Sequence, residues 1–129
     1  MILVTGGAWQ GKKEFVCQHF HLPQEKVTDG RTFVLEEKGP SGGPAALDHY
    51  EALVRRWIKA GADPETMTRR LLDGNPEMIL ITDEIGCGII PMDPEEVQYR
   101  EVHGRLCCRL AQSAGQVYLV ECGIGRRIK

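Results

Sequence analysis

The chain has 129 residues, of which 42% are hydrophobic and 26% charged, and its formal net charge is −2. This length predicts one domain over residues 1–129 that buries roughly two-thirds of its unfolded surface. This net charge does not indicate binding to nucleic acid or to an anionic membrane. No apolar run approaches the ~20 residues of a transmembrane helix. The first residues also lack the basic and apolar pattern of a signal peptide. Because the five cysteines form no C-x-x-C pair, we expect reduced thiols in a cytoplasmic protein.

The first twenty residues have the order of a strand, a glycine-rich loop and a helix. Residues 1–4 are an apolar run typical of a buried strand, and residues 13–20 are compatible with a short helix. Between them, GGAWQGK satisfies the pattern G-x-x-x-x-G-K that opens a Walker A phosphate loop. The glycines let successive N–H groups point at a phosphate, the helix dipole has its positive end there, and Lys12 supplies a full charge. We therefore predict that ATP or GTP is bound by Gly6, Gly7, Ala8, Gln10, Gly11, Lys12 and Lys13.

The next position departs from the motif. A Walker A loop ends in Ser or Thr because that hydroxyl coordinates Mg²⁺, whereas this chain has Lys13. A protonated lysine cannot ligate the metal, so the sequence supports phosphate binding better than turnover. A glycine-rich turn without a ligand is the alternative.

The middle of the chain reads as a short strand followed by two helices. Residues 32–35 (TFVL) predict the second strand, and residues 36–44 form a segment rich in glycine and proline. Residues 45–60 have the strongest helical spacing of apolar side chains, with Asp48 and His49 inside the predicted helix. A further helix is predicted over residues 63–72, where an Asp-Pro pair provides the N-cap and the first helical residue.

A second apolar run ends in two acids. Residues 78–82 (MILIT) predict a buried strand, and Asp83 and Glu84 follow it directly. A carboxylate at the end of an apolar strand is the Walker B arrangement, which holds Mg²⁺ or orients a nucleophile. We predict Lys12, Asp83 and Glu84 as catalytic residues and the two acids as the Mg²⁺ ligands. A turn cap or a surface charge is the alternative for each acid.

The C-terminal third contains one more helix and one more strand. Residues 95–113 predict a helix whose buried side includes Val97, and residues 117–121 (VYLVE) predict the last strand. A basic tail, residues 126–129, follows. Because four strands alternate with helices, we predict an α/β fold with a mainly parallel sheet and helices on both faces. Ligands of such sheets bind beyond the carboxyl ends of the strands.

Several segments resemble one known family. They are residues 1–13, 82–91 (TDEIGCGIIP), 99–105 (YREVHGR), 110–117 (LAQSAGQV) and 122–129 (CGIGRRIK). In these segments the chain resembles the adenosylcobinamide kinase/adenosylcobinamide-phosphate guanylyltransferase family. The resemblance implies a three-layer, RecA-like P-loop fold and a role in cobalamin assembly. It also implies phosphorylation of the aminopropanol hydroxyl of adenosylcobinamide, GMP transfer through a guanylylated histidine, and a homo-oligomer with sites at subunit boundaries.

The chain departs from the family pattern in three places. Lys13 replaces the loop hydroxyl, residues 36–44 contain no histidine, and no aspartate-bearing strand is evident before the helix of residues 45–60. We therefore expect a shortened relative that lacks the guanylyltransferase histidine. Three hypotheses stay open: a reduced adenosylcobinamide kinase, a non-catalytic nucleotide- or corrinoid-binding subunit, and a kinase of another small hydroxyl substrate.

Overall fold

The computed structural model describes residues 1–35, 45–86, 88 and 91–129. Within these ranges the chain forms six strands and four α-helices. In chain order they are β1 (Ile2–Gly6), α1 (Lys12–His19), β2 (Val27–Asp29), β3 (Ala46–Asp48), α2 (Tyr50–Lys59), α3 (Pro64–Gly74), β4 (Ile79–Asp83), α4 (Pro94–Ser113), β5 (Gln116–Glu121) and β6 (Ile124–Arg127).

The strands form one sheet in the order β2-β3-β4-β1-β5-β6. The pairings from β2 to β5 are parallel, and β6 is antiparallel to β5. The α/β fold with a mainly parallel sheet is therefore confirmed. The register pairs Gly6 with Asp83 and Asp29 with Asp48, so the ends of four neighbouring strands meet at one edge of the sheet.

Apolar side chains cover both faces of the sheet. Along β1, Leu3 belongs to the core cluster that packs against α2, α3 and α4, whereas Val4 belongs to the cluster on the α1 side with Val16. This alternation is the two-residue period of a strand buried on both faces. The predicted layering, with helices on both faces, follows from it.

The second strand lies earlier in the chain than predicted. The expected strand over residues 32–35 is wrong: β2 is Val27–Asp29, and a turn follows it. The backbone N–H groups of Thr32 and Phe33 both donate to the carbonyl oxygen of Asp29, and the Asp29 carboxylate accepts the N–H of Arg31. An aspartate that bonds its own downstream backbone in this way favours a turn over a strand.

The helix predicted over residues 45–60 is in fact a strand followed by a helix. Ala46–Asp48 forms β3, between β2 and β4, and α2 begins only at Tyr50. His49, between them, has a left-handed φ of 54°, which separates the two elements. Asp48 therefore ends a strand, and the expectation that it lies in the helix is wrong.

The C-terminal basic segment is a strand rather than a tail. Cys122 and Gly123 have φ values of 51° and 77°, and two successive residues with positive φ form the tight turn that suits a β-hairpin. The turn returns the chain as β6 along β5.

Two smaller expectations concern α4 and the glycine-rich segments. The helix is present, but Val97 is 46% exposed and does not belong to its buried side. The segment rich in glycine and proline, residues 36–44, and three residues of the family segment 82–91 lie outside the described residues. In the described ranges, no helix has the length and apolar character required to cross a membrane.

Candidate functional site

The loop between β1 and α1 requires glycine at both of its ends. Gly6 has a φ of 153°, and a Cβ placed there would lie 2.3 Å from the carbonyl oxygen of Val120 in β5. Gly11 has a φ of 79°, and its Cβ would lie 3.1 Å from the Cα of Gly123. The loop therefore lies directly against the β5–β6 hairpin.

The hairpin turn also holds the loop by hydrogen bonds. The N–H of Cys122 donates to Oε1 of Gln10 at 2.7 Å, and the N–H of Gly123 donates to the Gln10 carbonyl oxygen at 2.8 Å. Gln10 thus accepts hydrogen bonds from the hairpin turn with both its side chain and its backbone.

Lys12 connects the loop with the end of β4. Its side chain is 7% exposed, and Nζ lies 2.6 Å from the carbonyl oxygen of Gly7 and 2.5 Å from Oδ1 of Asp83. An ammonium group this buried needs such partners. Lys12 and Lys13 also occupy the first turn of α1, where the helix dipole favours negative charge. Two cations are unfavourable at the positive end of a helix, and such an arrangement is typical of a site that binds an anion there.

A cavity of about 440 Å³ lies at this edge of the sheet. Residues 9–14 of the loop and α1 line it, together with Asp29, Arg31, Asp48, His49 and Asp83 at the ends of β2, β3 and β4. Gln10, Gly11, Lys12 and Lys13, all predicted from the sequence, are among the lining residues. The site therefore has the composition of a cleft for a charged ligand, with both cations and carboxylates in its lining.

The two acids predicted from the sequence point to different places. Asp83 lines the cavity with Lys12. Glu84 is exposed and lies in a separate, mainly apolar groove between β1, β5 and α4, which Asp83 also reaches. Of the pair, Asp83 is thus the one that contacts the lysine.

A further ion pair lines the cavity at the end of β2. Nε and Nη2 of Arg31 donate to both carboxylate oxygens of Asp29 at 2.6–3.0 Å. This bidentate bond lowers the pKa of Asp29 to about 2. The pair keeps a guanidinium in the lining of the cavity.

His49 and Glu51 belong to the site although sequence reasoning assigned them to a packed helix. Nδ1 of His49 lies 3.2 Å from Oε1 of Glu51, and the N–H of Asp83 donates to Oε2 of Glu51 at 3.0 Å. Glu51 is 9% exposed. A signal was available: β2, β3 and β4 all end in aspartate, in the segments VTD, ALD and ITD.

His103 of α4 supports the end of β4 from the face of the sheet that α2 and α4 share. Its Nε2 lies 3.2 Å from Oγ1 of Thr82 and 3.3 Å from the carbonyl oxygen of Asp83. Burial lowers the pKa of this histidine, which favours the neutral imidazole. It therefore acts as a packed, hydrogen-bonded support for the strand that carries Asp83.

The histidines and cysteines of the described part do not assemble a metal centre. Among these residues there is no cluster of three or more histidine, cysteine, aspartate or glutamate side chains placed to hold an ion. Cys17, Cys107, Cys108 and Cys122 are free thiols.

The parallel sheet, the strand–glycine loop–helix unit and the buried lysine at the carboxyl edge define an α/β protein with the fold of the P-loop class. A family model described as cobinamide kinase / cobinamide phosphate guanyltransferase matches residues 48–128, which include Asp48, His49 and Asp83. The chain belongs to this family, and the resemblance found in its sequence is confirmed.

Two curated relatives are bifunctional adenosylcobalamin biosynthesis proteins named CobU. The chain is 40% identical to that of Escherichia coli (strain K12) over 184 aligned positions, with 100% of this chain and 99% of the relative included. It is 42% identical to that of Salmonella typhimurium (strain LT2) over 53 residues, which are 41% of this chain and 29% of the relative. The E. coli alignment is longer than this chain, so parts of that relative have no counterpart here, as expected for a shortened member.

Proposed function

We propose that this chain transfers the γ-phosphoryl group of ATP or GTP to the aminopropanol hydroxyl of adenosylcobinamide. The observation that carries the proposal is Lys12, which is buried at the base of the glycine loop and within 2.5 Å of Asp83 inside the cavity. Membership of the cobinamide kinase family and the E. coli relative, whose name assigns it to adenosylcobalamin biosynthesis, support the acceptor.

The phosphates have a defined place in this proposal. The loop at Gly6, Gly7, Ala8 and Gln10 and the N-terminus of α1 at Gly11 provide backbone donors, and Lys12 and Lys13 provide charge. On binding, Nζ of Lys12 turns from Asp83 and the Gly7 carbonyl oxygen towards the phosphate oxygens. Phosphoryl transfer mainly requires such positioning and charge neutralisation, because its loose transition state leaves little covalent chemistry for the protein to do.

The donor set at Asp83 fits a magnesium ion. Mg²⁺ prefers oxygen ligands and is commonly held by one or two carboxylates together with substrate phosphates and water. Asp83 would hold it once Lys12 has turned to the phosphates, whereas Glu84, the other predicted ligand, lies in the neighbouring groove and would have to turn towards the cavity to take part. When bound, Mg²⁺ would neutralise charge on the phosphates of the nucleotide.

Lys13 favours a second candidate function, that of a nucleotide- or corrinoid-binding subunit without turnover. Lys13 lies in the cavity wall at the position of the usual hydroxyl, and it provides a cation where the motif provides a metal ligand. In this case a nucleotide binds to Lys12 and Lys13 without needing Mg²⁺. A kinase of another small hydroxyl substrate would differ from the first candidate only in its acceptor.

Calorimetric titration with ATP and GTP, each with and without Mg²⁺, tests the nucleotide site. Lys12→Ala should weaken triphosphate binding by roughly 2–3 kcal/mol, or about 30- to 150-fold in Kd, because a charge-assisted contact is lost. Lys26→Ala is the matched control, since Lys26 is exposed and outside the cavity wall. Equal affinity of the Lys12→Ala variant and the wild type would contradict the phosphate-loop assignment.

Tryptophan fluorescence provides an independent readout of the same cavity. Trp9 lines the cavity and is fully exposed, whereas Trp57 is 7% exposed in the core. Nucleotide binding should therefore protect Trp9 from acrylamide quenching and leave Trp57 unchanged. A Trp9→Phe variant should lack this change in quenching, which would assign the signal to Trp9.

A transfer assay separates the candidate functions. Phosphorylated adenosylcobinamide, detected by mass spectrometry after incubation with Mg²⁺ and ATP or GTP, supports the kinase. Nucleotide binding that is indifferent to Mg²⁺, with no product, supports the binding subunit. Size-exclusion chromatography on the same sample tests the proposed homo-oligomer.

A further inference from the structure

His49 is held in one place by its backbone. It lies in the turn between β3 and α2 with a φ of 54°, and its carbonyl oxygen accepts the N–H groups of Ala52 and Leu53. Gly30 packs so closely against this turn that a Cβ there would lie 2.5 Å from the same oxygen. A non-glycine residue in left-handed conformation costs about 1 kcal/mol, and such strain is commonly found at functional sites.

The imidazole of His49 is oriented by a buried acid. Nδ1 lies 3.2 Å from Oε1 of Glu51, and Nε2 is 3.7 Å from the nearest oxygen of Asp48, beyond hydrogen-bond distance. A histidine that donates its Nδ1 proton to a carboxylate keeps its Nε2 lone pair free. The His49 side chain is 33% exposed and lines the cavity.

The same acid links His49 to the proposed catalytic aspartate. Oε2 of Glu51 accepts the N–H of Asp83 at 3.0 Å and lies 3.4 Å from Oγ1 of Thr82. A single buried carboxylate therefore fixes the position of Asp83 and the ring of His49 on the same wall of the cavity. Tyr99 donates its hydroxyl to the Glu51 carbonyl oxygen at 2.8 Å and ties α2 to α4 at this point.

We propose that His49 is the general base for the acceptor hydroxyl and that Glu51 is its positioning residue; this inference rests on the proposed kinase function. The acceptor oxygen attacks the γ-phosphorus, and its proton passes to Nε2 of His49 as the new O–P bond forms. The bond from the γ-phosphorus to the β,γ-bridging oxygen breaks, and the nucleoside diphosphate leaves with that electron pair. His49 then releases the proton to solvent.

The other carboxylates of the cavity are less suited to this role. Asp83 has another role in the proposed function, as the ligand of the magnesium ion, and Oδ1 of Asp48 accepts the N–H of His49 at 2.9 Å. Asp29 is held by Arg31, whose bidentate bond makes it a weak base. The charged groups around His49 are therefore the carboxylates of Asp29, Asp48 and Glu51 and the guanidinium of Arg31.

Three substitutions test the proposal with adenosylcobinamide as the acceptor. His49→Asn keeps a residue that tolerates left-handed backbone, and it should lower kcat by about 100-fold or more while leaving the nucleotide Kd within about twofold. His49→Gly makes room for added imidazole, which should restore turnover in proportion to its neutral form. His21→Asn is the matched control, because His21 is exposed, has a φ of 51° and lies outside the cavity wall.

Glu51→Gln provides the test of positioning. It should lower kcat about tenfold in the wild type and cause no further loss in His49→Asn, because both changes remove the same oriented base. A structural role alone would give additive losses and no response to imidazole.

The outcomes separate this inference from the function on which it rests. If the wild type binds nucleotide and forms no phosphorylated acceptor, both proposals fall. If the wild type forms product and His49→Asn has an unchanged kcat, the base assignment alone is overturned. The base assignment is also overturned if the His49→Gly variant still binds nucleotide but added imidazole does not restore its turnover. A stable mass increase on His49 equal to a phosphoryl or nucleotidyl group would identify a nucleophile instead of a base.

Discussion

Gln10 and Cys122 are 112 positions apart in the chain, yet the N–H of Cys122 donates to Oε1 of Gln10 at 2.7 Å. The phosphate loop is therefore shaped partly by the last hairpin of the protein, with a second bond from Gly123 to the Gln10 carbonyl oxygen. A glycine-rich loop is flexible by itself. Its contact with the hairpin reduces the entropy lost when a phosphate orders it, which favours binding.

Gln10→Ala should destabilise the fold slightly and weaken nucleotide binding more clearly. We expect a loss of about 0.5–1 kcal/mol in the free energy of unfolding, since the exposed N–H of Cys122 can turn to water. The Kd for ATP should rise several-fold because the loop becomes less ordered. Urea denaturation and calorimetry measure the two effects, with Gln112→Ala on the exposed side of α4 as the control. Unchanged Kd would mean that the hairpin does not shape the loop.

Gly6→Ala should be among the most destabilising substitutions in the chain. The added Cβ would lie 2.3 Å from the backbone oxygen of Val120, which cannot move without disturbing β5. We expect a loss of about 3 kcal/mol or more. Gly104→Ala is the opposite case, because Gly104 lies inside α4 with no atom within 4 Å of its added Cβ. It should stabilise by about 0.5–1 kcal/mol.

Both glycine variants are compared by urea denaturation at equal buffer and temperature. A Gly6→Ala variant with wild-type stability would mean that β1 and β5 separate more easily than their pairing indicates. A destabilised Gly104→Ala would point to a contact of α4 that requires the absence of a side chain.

The sequence predicted the central elements because each has a pattern of its own. Ile79–Asp83 is an almost continuous apolar run, and α4 begins with an Asp93 cap and a proline. By contrast, β2 and β3 are each only three residues long. Leu47 of β3 also continues the apolar spacing of α2, so the helical periodicity extends over β3 and predicts one helix where there are two elements.

Only part of the cavity lining is predictable from local sequence patterns. Lys12 and Asp83 follow from local motifs, but His49 enters the cavity only because its left-handed backbone ends β3 before α2 begins. Positive φ is uncommon for any residue other than glycine, and no spacing pattern announces it, so the sequence alone does not identify His49. The C-terminal hairpin was missed likewise, because the first residue of its turn is Cys122 rather than asparagine or aspartate.

The ion pair between Asp29 and Arg31 should give a pH-dependent contribution to stability. The pKa of Asp29 is about 2 in the folded protein and 3.8 in the reference state, so the contribution is complete above about pH 4 and is lost as the pH falls towards 2. The two side chains are 36% and 62% exposed, and solvent screening limits the contribution to about 1 kcal/mol or less.

A double-mutant cycle isolates this pair. Asp29→Asn, Arg31→Gln and the double variant, unfolded in urea at pH 7, should give a coupling free energy of up to about 1 kcal/mol that decreases in high salt. As the pH falls from 4 to 2 the coupling should decrease steadily, because Asp29 then becomes protonated in the folded protein as well. A coupling at pH 2 equal to that at pH 7 would exclude the carboxylate charge as its source.

Lys13→Thr tests whether one residue separates this chain from an efficient kinase. Lys13 is the second residue of α1 and lines the cavity, at the position where the motif places the Mg²⁺-binding hydroxyl. Threonine should restore that ligand and remove a cation from the cavity that Asp83, the proposed metal ligand, also lines. We expect an increase in Mg²⁺-dependent turnover of roughly tenfold, equal to about 1.4 kcal/mol in the activation free energy.

Lys13→Ala is the matched control, because it removes the same charge without adding a hydroxyl. A gain confined to Lys13→Thr assigns the defect to the missing ligand, whereas equal gains in both variants assign it to charge repulsion. If neither variant gains activity, the missing hydroxyl is not the defect that limits turnover: either the site is altered elsewhere or Asp83 and Glu84 already supply the metal.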